Sequence, residues 1–254
     1  SFSAPVLHER LRQLLEDPAL AREMGERARE TVAAKFPMRA FTTKWRAAIF
    51  EAADGRSGAA SRVRAKPKPR PKLLMHFISS PLTTARYFET AAREQCHVMT
   101  AGFRLPEEVL EMWGFEGTPP PYPPQQIELE HRAPYAELLA KLPQGYAPDI
   151  YFWIDSGPRE VEPDIDALDM TKIAYLIDTH VSPELRLEMA RHFDAVFLAQ
   201  RAQVEMFRQA GIENVFWVPL GCSPTLHAAG AFARTHDVSY IGSFSSEEDV
   251  RRRE

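Results

Sequence analysis

The sequence predicts an α/β fold: a Rossmann-like parallel sheet with an appended α-helical N-terminal segment. Three observations predict it. From residue 72 onward, short and nearly uninterrupted apolar runs alternate with amphipathic stretches. Strands buried on both faces read this way, and the helices between them supply the crossovers of a parallel sheet. Residues 3–53 carry only helical periodicity, and residues 54–71 divide the two regions with alternating proline and cation.

The first helix is predicted after Ser3-Ala4-Pro5, with Val6, Leu7, Leu11, Leu14 and Leu15 at helical spacing. Asp17-Pro18 is a second start signal, a capping side chain followed by a first-turn proline. Leu20, Met24, Ala28 and Val32 follow at intervals of four, and Phe41, Trp45 and Ile49 repeat the interval after Phe36-Pro37. These stripes are narrow. They suit docking on another surface better than a self-contained bundle.

Residues 55–72 hold seven basic residues and no acidic one, among them Lys66-Pro67-Lys68-Pro69-Arg70-Pro71. Alternating proline and cation supports neither ladder nor helix, so 54–71 reads as an extended, solvated linker.

The sheet region then runs in order. Lys72–Ile78 is a strand, 83–94 a helix, 97–100 a short strand and 106–113 a helix. Residues 118–125 (TPPPYPPQ) are irregular or polyproline, and 132–142 are helical. Strands are predicted at 149–154 (DIYFWI), 172–177 (KIAYLI), 194–198 (DAVFL), 214–218 (NVFWV) and 237–241 (DVSYI). Ser182-Pro183-Glu184 opens a helix to His192, and another runs from Gln200 to Ala210, ended by Gly211.

The totals narrow the function classes. The chain has 254 residues and a net charge of −4, with 44% hydrophobic residues, as in a globular protein. Outside the basic stretch the net charge is −11, which argues against bulk nucleic-acid binding. No run approaches the roughly 20 apolar residues of a membrane span, and Ser1 to Glu9 lacks a signal pattern. Cys96 and Cys222 fit no zinc or redox spacing, so two thiols in a reducing cytosol are expected, with no metal site. Proline is in excess, 21 against 12 glycines, mostly in the linker, in 118–125 and at element ends.

Ligands of parallel sheets bind beyond the carboxyl ends of the strands. That selects Ser79-Ser80-Pro81, Asp155-Ser156-Gly157-Pro158, Asp178-Thr179-His180 and Ala199-Gln200-Arg201. Asp178, two residues before His180, can orient an imidazole or bind sugar hydroxyls; alternatively the pair only caps the next helix. A Ser156, His180, Asp178 hydrolase lacks the Gly-x-Ser-x-Gly elbow. Asp155 and Asp178 are a conceivable acid/base pair, or one solvated carboxylate at each strand end. Gly242-Ser243, between a strand and a helix start, can offer backbone N–H groups to phosphate. The strand aromatics Tyr151, Phe152, Trp153, Phe216 and Trp217 read as core rather than as a ligand platform, and His76 and His192 receive no role.

From Lys72 to about Arg253 the chain resembles the CgeB-like (spore maturation protein) glycosyltransferases of GT-B architecture. The likeness is carried by DIYFWIDSGP (149–158), KIAYLIDTH (172–180), FDAVFLAQR (193–201), NVFWVPLGC (214–222) and DVSYIGS (237–243). Residues 1–53, with Leu14-Leu15-Glu16-Asp17-Pro18, Met24-Gly25-Glu26-Arg27-Ala28-Arg29, Phe36 and Trp45, are similar to the C-terminal helices of family-4 (group 1) glycosyltransferases. The resemblance implies the helical tail of one module (1–53), a linker (54–71), an acceptor-side Rossmann-like domain (72–235) and the start of a truncated donor-binding domain (236–254). It implies sugar transfer from a nucleotide-sugar co-substrate to a glycan, polysaccharide or protein-linked acceptor, by a cytoplasmic multidomain enzyme of which this chain is an inactive fragment. His180 or Asp178 would be the base. Asp155, Ser156, Gly157 and Gln200 would contact the acceptor, and Gly242 and Ser243 would face the donor phosphates. Two other readings stay open: a non-catalytic glycosyltransferase-like binding or scaffold module, and a periplasmic-type small-ligand sensor, which would ordinarily bring an export signal.

Overall fold

The computed structural model of the chain describes residues 9, 12–35, 70–81, 83–112, 125–155 and 163–221. The chain falls into two units, residues 1–37 with 224–254 and residues 38–223. In the first unit the described residues are helical. Asp17 interrupts the helix at 12–16 and starts α1 (Pro18–Lys35), its Oδ1 accepting the N–H groups of Ala19 and Leu20 at 3.0 Å each. This is the predicted cap with proline at the first helical position. Along α1, Leu20 is half-buried and Met24 is exposed. The third predicted helix and the linker up to residue 69 lie outside the described residues.

The second unit holds one seven-stranded sheet. Its strands are β1 (Lys72–His76), β2 (His97–Phe103), β3 (Ile127–Leu129), β4 (Ile150–Ile154), β5 (Thr171–Leu176), β6 (Ala195–Leu198) and β7 (Val215–Trp217). They lie in the order β3-β2-β1-β4-β5-β6-β7, and every neighbouring pair is parallel. The connections carry α2 (Ala85–Arg93), α3 (Glu107–Met112), α4 (Tyr135–Ala140), α5 (Pro183–Ala190) and α6 (Val204–Gln209). The α/β class and the Rossmann-like arrangement predicted from the apolar runs are the observed ones.

Two cores lie on the two faces of the sheet, because alternate residues of each strand point to opposite sides. One face carries Leu74, Tyr151, Trp153, Ala174, Leu176 and Leu198, covered by Leu138 of α4, Met189 and Ala190 of α5, and Phe207 of α6. The other carries Leu73, Met75, Phe152, Tyr175 and Phe197, covered by Ala85 and Phe88 of α2. Phe88 stacks tilted on Tyr175, centroids 4.5 Å apart, and edge-on to Phe152 at 5.9 Å.

The register is pinned at the amino edge by two aspartates just ahead of strands. Asp149, before β4, accepts the Lys72 N–H on Oδ2 at 2.8 Å and donates its own N–H to Lys72 O at 2.9 Å. Asp194, before β6, repeats both bonds with Lys172 at 2.7 and 2.9 Å.

Three elements differ from the sequence expectation. Strand β2 continues past Thr100 because Gly102 adopts φ +139, where its hydrogen lies against the carbonyl of Phe77; a Cβ there would stand 2.1 Å from that oxygen. The three-residue strand β3 has only the pattern Ile-Glu-Leu, too short to show a period. A 3₁₀ turn at Pro163–Ala167 was also unexpected. The predicted strand 237–241 lies outside the described residues.

Candidate functional site

The strand order places β1 beside β4, yet β1 leads on to β2 and β4 leads on to β5, on the opposite side. This is a topological switch point, and ligands of open parallel sheets bind in the crevice above it, at the carboxyl ends. All four loops selected from the sequence end strands on this edge: β1, β4, β5 and β6.

On the β1 side the chain stays tied to β2 beyond the strand. Ser79 N–H donates to Phe103 O at 2.8 Å and Leu105 N–H to Ser79 O at 3.1 Å. The last residue of β1, His76, is buried, with Nδ1 2.7 Å from the Tyr151 hydroxyl, which donates to the Tyr135 hydroxyl at 3.1 Å. The three rings meet edge to face. Sequence reasoning gave His76 no role. Its signal was a single histidine inside the otherwise apolar run Leu-Leu-Met-His-Phe-Ile.

On the β4 side Asp155 is fully buried. Its Oδ2 accepts Nη2 of Arg186 at 3.0 Å and the Ile177 N–H at 3.4 Å, and its own N–H donates to Tyr175 O at 2.9 Å. Arg186, from the first turn of α5, is 2% exposed. The carboxylate expected to meet an acceptor in the crevice therefore turns inward and braces the ends of β4 and β5 against α5. An ion removed from water needs such a partner. Arg186 was missed in the sequence. Its signal was an arginine in an apolar helical stripe, three and four residues before Met189 and Ala190.

The turn after β5 carries the exposed chemistry. Asp178 (φ +49) and Ser182 (φ +55) are both left-handed, and Asp178 O accepts the Val181 N–H at 2.8 Å. Non-glycine residues in this region cost about 1–3 kcal/mol each and gather at functional turns. The turn sets Asp178 and His180 outward and buries Thr179 between them. The Thr179 hydroxyl donates to Oε1 of Gln200 at 3.2 Å, joining the loop after β5 to the loop after β6. Asp178 and His180 do not hydrogen-bond each other. Among the described residues their side chains face solvent without a partner.

The structure thus brings Asp178, His180 and Gln200 together across Thr179 and sets Asp155 beneath them. Ser156, Gly157, Gly242 and Ser243 lie outside the described residues. Tyr175 donates its hydroxyl to Val218 O at 2.9 Å, and burial pushes its phenol well above the usual range. Cys96 is buried and its thiol is likewise pushed up; Cys222 lies outside the described residues. Among the described residues no group of three or more His, Cys, Asp or Glu side chains is placed to hold a metal ion.

No family model matches the sequence, and no curated protein matches it. In structure the chain is similar to the TT0316 protein from Thermus thermophilus, with 13% identity and a TM-score of 0.34. The likeness covers 71% of this chain and 57% of that one, so this chain spans less than two thirds of its length. No helix among the described residues is long and apolar enough to cross a membrane.

Proposed function

We propose that the sheet unit is the acceptor-binding half of a cytoplasmic glycosyltransferase, one that moves a sugar from a nucleotide-sugar to a glycan, polysaccharide or protein-linked hydroxyl. The observation that carries this reading is the row of polar groups on the carboxyl edge: exposed Asp178 and His180 flanking the Thr179–Gln200 hydrogen bond. Short polar side chains on a fixed turn suit saccharide hydroxyls, which offer both donors and acceptors. The resembling segments 149–158, 172–180 and 193–201 include Asp155, Asp178, His180 and Gln200 at the carboxyl ends of β4, β5 and β6.

The chemistry asks for two things: removal of a proton from the acceptor hydroxyl and stabilisation of a departing diphosphate. His180 or Asp178 serves the first. Asp155 acts through Arg186, keeping the ends of β4 and β5 in place. The resemblance assigns Ser156 and Gly157 to acceptor contacts and Gly242 and Ser243 to the donor phosphates.

One observation favours the non-catalytic alternative, a glycan-binding or scaffold module. A base imidazole is ordinarily oriented by a hydrogen bond on its second nitrogen, and His180 has none among the described residues. Transfer assays on the full-length protein with UDP-glucose, UDP-N-acetylglucosamine and GDP-mannose separate the two. The catalytic reading expects turnover that falls about 10²–10⁴-fold in His180→Ala or Asp178→Ala. Unchanged turnover in both variants removes the base assignment, and saccharide binding without turnover makes the module a binder.

A further inference from the structure

Beside the Thr179–Gln200 bond lies a second feature of the carboxyl edge that the reading above does not use. Trp217 is the last residue of β7, and its indole Nε1–H donates to Ala199 O at 3.2 Å, which fixes the ring against the end of β6. The guanidinium of Arg201 sits over that ring, 5.3 Å from its centroid. Arg201 is exposed and belongs to the short 3₁₀ turn that begins right after Gln200.

The cation has no carboxylate neighbour within ion-pair distance among the described residues. Elsewhere arginines on this chain do pair: Arg12 with Glu9 and Glu16, Arg93 with Glu89, Arg186 with Asp155. An arginine stacked on an aromatic ring has given up part of its freedom while its N–H edges stay open. That pre-organised fork matches the two oxygens of a carboxylate or phosphate. The buried Asp155 carboxylate is already occupied by Arg186.

We infer that Arg201, seated on Trp217, is an anion-recognition arm of the carboxyl edge, taking a phosphate or carboxylate group of the ligand next to Gln200. The inference shares its edge with the glycosyl-transfer reading, and the test tells the two apart. Binding of inorganic phosphate, glucuronate and glucose to the whole chain is measured by calorimetry, with indole fluorescence as the second readout and Trp217→Phe to attribute the signal. Phosphate and glucuronate are expected to bind and to perturb Trp217. Arg201→Gln should weaken both at least tenfold, and Arg201→Lys should restore only part, because an ammonium lacks the fork. Glucose binding should not change in Arg201→Gln.

Equal anion affinity in wild type and Arg201→Gln overturns the inference, as does the absence of anion binding. Glucose that binds while the anions gain nothing from Arg201 overturns it too, yet leaves the saccharide reading standing. Arg201-dependent binding of phosphate and glucuronate with no affinity for glucose upholds the anion arm and removes support from the saccharide reading.

Discussion

Arg186 and Asp155 form the pair on which the site rests. Both are buried, so removing either partner strands an ion in a medium that cannot solvate it. Asp155→Asn or Arg186→Met alone should each cost about 3–5 kcal/mol, and the double variant should cost clearly less than their sum. Urea unfolding of the four proteins checks this; additive losses would show that the two side chains act independently. On the surface, Asp166 accepts His192 Nδ1 at 3.2 Å and lies 3.6 Å from Lys172 Nζ. The His192 hydrogen bond, aided by Lys172, holds its carboxyl below the ordinary range. A depressed acid stabilises the fold above its unfolded pKa of about 3.9, and that contribution fades as pH falls through the lower folded value. Asp166→Asn should therefore lower the melting temperature slightly at pH 6 and by progressively less as the pH falls below about 3.9. A difference that grows toward acid would contradict the pairing.

At the scale of elements, the strands were readable because a parallel strand buried on both faces has an unmistakable composition. Runs such as Ile-Tyr-Phe-Trp-Ile leave no polar face for a helix to show to water. In the sheet unit α5 was readable from its Ser182-Pro183-Glu184 start and α6 from its Gly211 stop, as was α1 from Asp17-Pro18. What escaped was set by tertiary contact. Strand β3 exists because β2 offers it an edge, and β2 runs on to Phe103 because Gly102 tolerates the Phe77 carbonyl. Gly102→Ala should destabilise by more than about 1 kcal/mol, since both the φ of +139 and the contact forbid a Cβ. A urea midpoint equal to wild type would show that β1 and β2 separate freely there. Asp149 and Asp194 looked in sequence like the first residues of strands, whereas each hooks the backbone of a neighbouring strand. Replacing either by Ala should cost about 1 kcal/mol through the lost N–H acceptor.

For the whole molecule, the central claim is that function sits on the carboxyl edge of the sheet unit. The strand-end rule placed Asp178, His180 and Gln200 on that edge from the sequence because it depends only on where apolar runs stop. It misplaced Asp155, since burial of a strand-end carboxylate is decided by a partner one helix away, and no spacing joins Asp155 to Arg186. The same limit hid the stacking of Arg201 on Trp217, which joins two separate strand ends. Backbone amide chemical-shift mapping of the whole chain, titrated with a short oligosaccharide and then with UDP-glucose, tests the claim most directly. The largest shifts are expected at 177–182 and 199–201. Shifts confined to the opposite edge, around Asp149 and Asp194, or no shift with either ligand, would contradict it.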